Sequence, residues 1–319
     1  MARIYVIHEN NAWVEPLRAA LRERGLPYEE WFLDEGTLDL DAPPPEGVFY
    51  NRMSASSHTR GHRYAAEYTA CVLAWLEAHG RRVVNDSRAL RLEISKAAQY
   101  AALAAHGIRA PRTIAAVGRA QVLEAARRFV PPFIVKPNRG GKGLGVRLLR
   151  DHASLEAYLD GPEFEPPVDG VLLVQEYIRA PQPFITRVEF IGGRFFYAVR
   201  VDTSAGFELC PADVCQVGDL FCPTGETPGP RFEILDDFSH PILARYSRFL
   251  EANGIGIAGI EFVTDAQGEL YTYDVNTNTN YNAEAEARAG RYGMRAIAAY
   301  LGDELVRLYG AAAARQRAR

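Results

Sequence analysis

The chain has 319 residues, 48% of them apolar and 24% charged, with a formal net charge of −4 and four cysteines. This length suffices for two domains or one large domain built of lobes, and the composition excludes disordered, collagenous and fibrous classes. The near-neutral balance gives no global pull toward nucleic acid or anionic membrane, so any anion site must rest on a local cluster of Lys and Arg, and small-molecule partners are expected.

The chain opens with a short buried strand at residues 3–8 and a helix at 13–24, with Pro16 in its first turn and Gly25 beyond its end. Strands follow at 28–33 and, after the turn-rich Pro43-Pro44-Pro45, at 47–51; then come a polar loop, a helix at 62–79 and a strand at 82–85. This alternation implies a parallel sheet that presents ligands at the carboxyl ends of its strands. Residues 87–106 read as one continuous helix, stopped by Gly107. From Ile114 the pattern is strand, helix (119–129), strand (133–136), glycine-rich loop, strand (143–149) and helix (153–159). Two strands joined by such a loop, with no helix between, form a hairpin. A strand at 171–177, long strand-like runs at 186–190 and 195–202, a helix at 241–253, a strand pair at 257–264 and 269–275, and a last helix at 292–309 complete the chain. No apolar run approaches the roughly 18 residues that span a bilayer, and the start lacks a signal peptide, so a cytoplasmic chain is expected.

The segment from Phe133 to Gly145 puts Lys136 at the end of a buried strand and four glycines in the next nine positions. Gly140, Gly141 and Gly143 let backbone N–H groups approach phosphate oxygens, and Lys136, Arg139 and Lys142 supply charge. The alternative is a hairpin turn with solvated cations; Walker A and Rossmann patterns are both absent. A second constellation is Glu261 and Asp274, thirteen positions apart on an apparent hairpin, with Asn276 alternating onto the face of Asp274. Two carboxylates and an amide oxygen are hard ligands suited to Mg²⁺; the alternative is a polar face of an exposed hairpin. The loop 51–63 carries Arg52, His58, Arg60 and Arg63 at a strand's carboxyl end, where bidentate arginines can grip a carboxylate or merely decorate a helix entrance. His8 reads as a structural histidine before a catalytic one. Cys210, Cys215 and Cys222 lack paired zinc spacing, and zinc would need a fourth ligand such as His240; with Cys71 they read as thiols.

In their order and spacing these pieces resemble the ATP-grasp superfamily, nearest to the carboxylate-amine ligases that include ribosomal-protein glutamate ligase, the lysine-biosynthesis ligases and glutathione synthetase. The features are Ser95-Lys96 with Tyr100, Leu103 and Gly107-Ile108; Pro111-Arg112-Thr113; Val135-Lys136-Pro137 with the glycine loop; Val174 to Ile178; Arg187; Arg200; Glu261; and Asp274-Val275-Asn276. The resemblance implies an α/β ATP-grasp fold: an N-terminal Rossmann-like domain (1–92), a central lobe with the glycine loop (93–180) and a C-terminal lobe with the metal site (181–319).

It further implies that Lys96, Lys136 and the loop Gly140, Gly141, Lys142, Gly143 hold ATP phosphates, and that Gln175, Glu176, Tyr177 and Ile178 form the hinge against adenine. Arg187 and Arg200 would hold the transferred phosphate, and Glu261, Asp274 and Asn276 would bind Mg²⁺, two ions, with Mn²⁺ an alternative. The implied activity is amide formation between a small carboxylate and an amine through an acyl phosphate, with no nucleic-acid or membrane partner and homo-oligomerisation left open. A phosphotransferase acting on a hydroxyl and a non-catalytic ATP-binding module are the alternatives. The chain departs from the family at Ile185-Thr186-Arg187, where Asp-x-Arg is usual; in the order Glu then Asp of the metal acids; and at Asn276 to Asn282, where Asn-Ser-x-Pro-Gly is usual. Asn278 in that last stretch is the candidate substrate contact.

Overall fold

The computed structural model of the chain describes residues 2–141, 143–204, 231–311 and 313. The first sheet contains β1 (Arg3–His8), β2 (Tyr28–Phe32), β3 (Gly47–Asn51) and β4 (Arg82–Val84), all parallel, in the order β2-β1-β3-β4. Its central strands β1 and β3 are buried almost throughout, which is why they read as unbroken apolar runs: helices cover both faces. Ile4, Val6 and Val48 meet Val14 and Leu17 of α1 (Asn11–Glu23), whose N-terminus is capped by Asn10. The other face, Tyr5, Ile7 and Phe49, meets Val72, Leu73 and Leu76 of α2 (Ala65–Ala78).

The expected single helix over 87–106 is two helices, α3 (Ser87–Glu93) and α4 (Lys96–Ala105). Ser95 breaks the run by extending its backbone and capping α4, its Oγ accepting from Ala98 N at 3.2 Å. Asn138 fixes the break from outside, its Oδ1 accepting from Ala97 N at 2.8 Å.

The central sheet, order β5-β8-β6-β7, comprises β5 (Thr113–Ala116), β6 (Phe133–Pro137), β7 (Arg147–Leu149) and β8 (Leu172–Glu176). β6 and β7 form the expected antiparallel hairpin. β7 starts at Arg147 because Gly143 and Gly145 have φ of 76° and 73°, which extended backbone does not adopt. α5 (Arg119–Ala126) and α6 (His152–Asp160) contribute Val122 and Leu155 to its core.

The last sheet is antiparallel, order β11-β10-β9-β12-β13, from β9 (Phe184–Ile191), β10 (Arg194–Asp202), β11 (Phe232–Leu235), β12 (Ile257–Thr264) and β13 (Leu270–Asn276). Tyr246 and Phe249 of α7 (Ile242–Ala252) pack against Val188 and Ile260. β11, α8 (Ala283–Ala289) and a 3₁₀ turn at Ser57–Arg60 carry no clear periodic signal in the sequence. α9 (Gly293–Tyr309) leaves this region and packs on the first sheet, with Ile297 and Leu301 in the same core as Ile4 and Leu17.

Asn85 knots the first and last sheets together. It is fully buried at φ 60°, a left-handed conformation that Asn tolerates. Its amide donates to Ile257 O (2.9 Å) and Thr277 O (2.8 Å), and its Oδ1 accepts from Gly256 N (2.9 Å) and Ile257 N (3.0 Å). Cys210, Cys215 and Cys222 lie outside the described residues, while Cys71 is an exposed free thiol on α2. Among the described residues no helix is long and apolar enough to cross a membrane.

Candidate active site

The three sheets converge on a cleft of about 560 Å³. On one wall Lys136, at the end of β6, is buried, and its Nζ donates to Tyr100 Oη at 2.7 Å; that hydroxyl donates to Tyr273 O at 2.9 Å. Gly140, Gly141 and Gly143 line the same wall, and Lys142 lies outside the described residues. Arg139 does not line the cleft. It is buried against the first sheet's side of the molecule, with Nη1 2.7 Å from Glu67 Oε1 and Nε 3.4 Å from Ala55 O.

The break between α3 and α4 delivers Lys96 to the floor, where its Nζ lies 2.5 Å from Asp274 Oδ1. Burial disfavours the ammonium, but the Asp274 carboxylate outweighs it and raises the Lys96 pKa, so this lysine stays charged. Gln175, Glu176, Tyr177 and Ile178 line the cleft from the end of β8, the strand beside β6, and the residues just after it. Two of these side chains are tied back to β5: Gln175 Nε2 donates to Thr113 Oγ1 (2.7 Å), and Glu176 Oε1 accepts from Arg112 N (2.6 Å). Ile134, Leu144, Val146 and Phe184 complete an apolar slot beside them.

Glu261 and Asp274 are direct cross-strand partners on β12 and β13. Burial pushes the Glu261 carboxyl up; the neighbouring Arg187 opposes this and the Asp274 charge adds to it. Two carboxylates held together call for positive charge, part of which Lys96 supplies at Asp274 and Arg187 at Glu261. Among the described residues no three or more His, Cys, Asp or Glu side chains gather as a metal cluster. The donors present are therefore two carboxylates plus the Asn276 amide, which lines the cleft beside them. That hard, incomplete set fits Mg²⁺ with waters and phosphate oxygens filling the remaining positions.

Arg187 on β9 is pinned from three sides, its Nε 2.5 Å from Glu189 Oε1, Nη1 2.9 Å from Glu261 Oε1 and Nη2 2.5 Å from Thr279 Oγ1. Arg200 is not brought to it. Arg187 pairs in register with Val199, so Arg200, one position on, projects from the opposite face of the sheet. There it is exposed, 3.4 Å from Glu233 and over the Phe184 ring.

The arginine loop also departs from expectation. Arg52 is buried, and all its bonds go to neutral oxygens: Asn278 Oδ1, Trp13 O, Thr279 O and Asn280 Oδ1. Arg60 chelates the buried Glu9 carboxylate and donates to Ser56 Oγ, while Arg63 reaches Glu67 and Val168 O. His58 has its pKa lowered by burial and by Arg139. None of these four lines the cleft; Asn278 does. The arginines are consumed because β3 ends beside Glu9 and beside the carbonyls of 278–280, partners distant in sequence. His8 is buried 3.3 Å from Glu30, also away from the cleft.

Residues that pattern reading passed over complete the site: Trp13, Ser54, Ser56, Glu93, Tyr273 and Asn280 in the lining, and Glu189 behind Arg187. Glu189 had a legible signal, since it alternates with Arg187 on one strand face; the others had none.

Residues 94–206 match the family model described as a RimK-like ATP-grasp domain. The α-aminoadipate–LysW ligase LysX of Sulfurisphaera tokodaii is 31% identical over 170 residues, covering 50% of this chain and 59% of that protein. Among solved structures, a RimK domain ATP-grasp protein from Sphaerobacter thermophilus superposes with a TM-score of 0.64 at 20% identity, covering 94% of this chain and 99% of the other. The ATP-grasp ligase PsnB complexed with minimal precursor, Mg and ADP gives 0.64 at 19%, covering 95% and 97%. The fold is that of ATP-grasp ligases.

Proposed function

We propose, from the premise of a RimK-like ATP-grasp domain at residues 94–206, that this chain is an ATP-dependent ligase joining a carboxylate to an amine through an acyl phosphate. The observation that carries this reading is the convergence, in one cleft, of Lys136 and the glycine loop with Lys96, Arg187 and the Glu261–Asp274 pair. Cations and metal-competent acids gathered in one cleft suit phosphoryl transfer between two anions, where catalysis is mostly positioning and charge neutralisation. LysX is named a ligase, and PsnB is an ATP-grasp ligase found with Mg and ADP, which supports the same class here.

In this reading Lys136 and Lys96 hold phosphate oxygens, the glycine loop donates backbone N–H groups, and the apolar slot beside Tyr177 and Ile178 takes the base. Glu261, Asp274 and Asn276 would hold Mg²⁺, which when bound neutralises phosphate charge. Arg187, fixed by Glu189 and Thr279, meets the carboxylate oxygen that receives the phosphoryl group, and its charge stabilises the acyl phosphate until an amine displaces phosphate. Enclosure excludes water that would hydrolyse this intermediate.

The test incubates the protein with ATP, Mg²⁺ and a panel of amino acids and small acids, with hydroxylamine as trap. ADP release with a hydroxamate as product supports the ligase; a phosphorylated alcohol replaces it with a phosphotransferase.

A further inference from the structure

The end of the cleft beneath the loop after β3 differs in charge from what its sequence announces. Its wall is made by Trp13, Ser54, Ser56, Glu93, Asn278 and Asn280. Arg52 and Arg60, the cations expected there, do not line it: Arg52 lies behind Asn278 and Asn280, bonded to neutral oxygens, and Arg60 pairs with Glu9. Among the described residues of this wall Glu93 is the ionisable group, and the neighbouring ammonium of Lys96 is held by Asp274.

Glu93 ends α3 and reaches both sides of the cleft. Its Oε1 accepts from Ala55 N at 3.3 Å, and its Oε2 accepts from Thr277 N at 2.7 Å and Thr277 Oγ1 at 3.0 Å. All three donors are neutral, and a carboxylate offers about four acceptor positions. One position and the full charge therefore remain for a ligand. Burial raises the Glu93 pKa, the mark of an anion without an adequate counter-charge.

We infer that this end of the cleft is a subsite for a positively charged amine, with Glu93 as its counter-ion and Asn278 beside it. The inference rests on the ligase reading and deepens it: the amine substrate docks as an ammonium beside Glu93 and attacks as the free amine once its proton has passed to the Glu93 carboxylate, with the carboxylate substrate held by Arg187 on the same 277–279 stretch. An anionic group would meet the Glu93 carboxylate there, so this position selects against a carboxylate.

The experiment measures hydroxamate formation from hydroxylamine, which is uncharged at neutral pH and needs no counter-ion. Two competitors are compared, alaninamide, a cation, and N-acetylalaninamide, which lacks the charge. In the unsubstituted protein alaninamide is expected to inhibit at least about tenfold more strongly. Glu93→Gln is expected to weaken alaninamide inhibition about tenfold or more, and by a larger factor than it lowers the hydroxamate rate. If Glu93→Gln does not fold, the comparison of the two competitors in the unsubstituted protein decides the matter.

Equal inhibition by the two competitors overturns the inference. So does a parallel loss of hydroxamate formation and alaninamide inhibition in Glu93→Gln, because Glu93 then serves only to hold Ala55 and Thr277. Failure of the unsubstituted protein to form any hydroxamate is a distinct result that removes the ligase reading and this subsite with it.

Discussion

Gly259→Ala tests whether Arg187 works from the position its neighbours impose. Gly259 lies on β12 beside β9, and a Cβ there would sit 2.6 Å from Arg187 Nε and 2.7 Å from Cζ, with Nη2 closer still. The end of an arginine can normally swing aside from such a contact at little cost. Here it cannot move without breaking bonds to Glu189, Glu261 and Thr279, all inside the protein. Overpacking costs about 1–3 kcal/mol, and separating a buried ion pair costs about 3–5 kcal/mol where the partner keeps its charge. Glu189 and Glu261 already have raised pKa values through burial, so each can take a proton when the guanidinium leaves, which brings the expected loss of stability toward about 3 kcal/mol.

Turnover, measured as ADP release with hydroxylamine as acceptor, is expected to fall about 100-fold, equivalent to about 2.7 kcal/mol of lost transition-state stabilisation. The decisive comparison is a double-mutant cycle. If Gly259→Ala acts through the guanidinium, adding it to Arg187→Ala costs less than about 0.5 kcal/mol further, because the clashing group is gone. Additive losses in melting and rate, or a Gly259→Ala protein with unchanged turnover, would refute the reasoning.

Lys136→Ala and Glu261→Ala are each expected to lower turnover at least about 100-fold, about 3 kcal/mol, with the fold retained in thermal melting; near-normal rates at saturating Mg²⁺ would sink the phosphate and metal assignments. Arg60→Ala strips the buried Glu9 of its bidentate partner and leaves only His62, so denaturant titration should show a loss of about 3–5 kcal/mol. Arg63→Ala, at an exposed pair, should cost no more than about 1 kcal/mol, and a raised KM for the carboxylate in that variant would restore the loop as an anion grip. Glu286 predicts a pH dependence: burial pushes its carboxyl up to about 7 from 4.5, while Gly293 N and Tyr197 Oη both donate to one of its oxygens. A carboxyl raised in the folded state contributes stability that is present below about pH 4.5 and lost as pH rises through 7, at most about 3 kcal/mol. Glu286→Gln keeps the accepting oxygen and removes the charge, so its melting temperature should decline less between pH 5 and 8 than the unsubstituted protein's.

Much of the site was legible because it sits on regular elements. Lys136 ends an apolar strand, and Glu261 and Asp274 sit on the two strands of a hairpin with a clear turn, so both acids were found by pattern, while the register shift between Glu261 and Phe262 that sets Asp274 opposite Glu261 was not legible. Alternation, carried across two strands, would have separated Arg187 from Arg200, but only with the register known. That register depends on the pairing of Val199 with Arg187, which no local pattern reveals.

The sequence by itself determined most strands and helices, the glycine loop and the hairpin that carries Glu261 and Asp274, since each depends on the residue's own neighbours through periodicity and turn chemistry. The tertiary structure alone decided the charge of the end of the cleft beneath the loop after β3. Arg52 and Arg60 look free until β3 is set beside Glu9 and the turn at 278–280, and Glu93 looks like an ordinary helix acid until Ser95 breaks the helix and Thr277 meets it from 184 residues away. A side chain's chemistry at a site is what remains after its partners are satisfied, and those partners come from elements that only folding brings together.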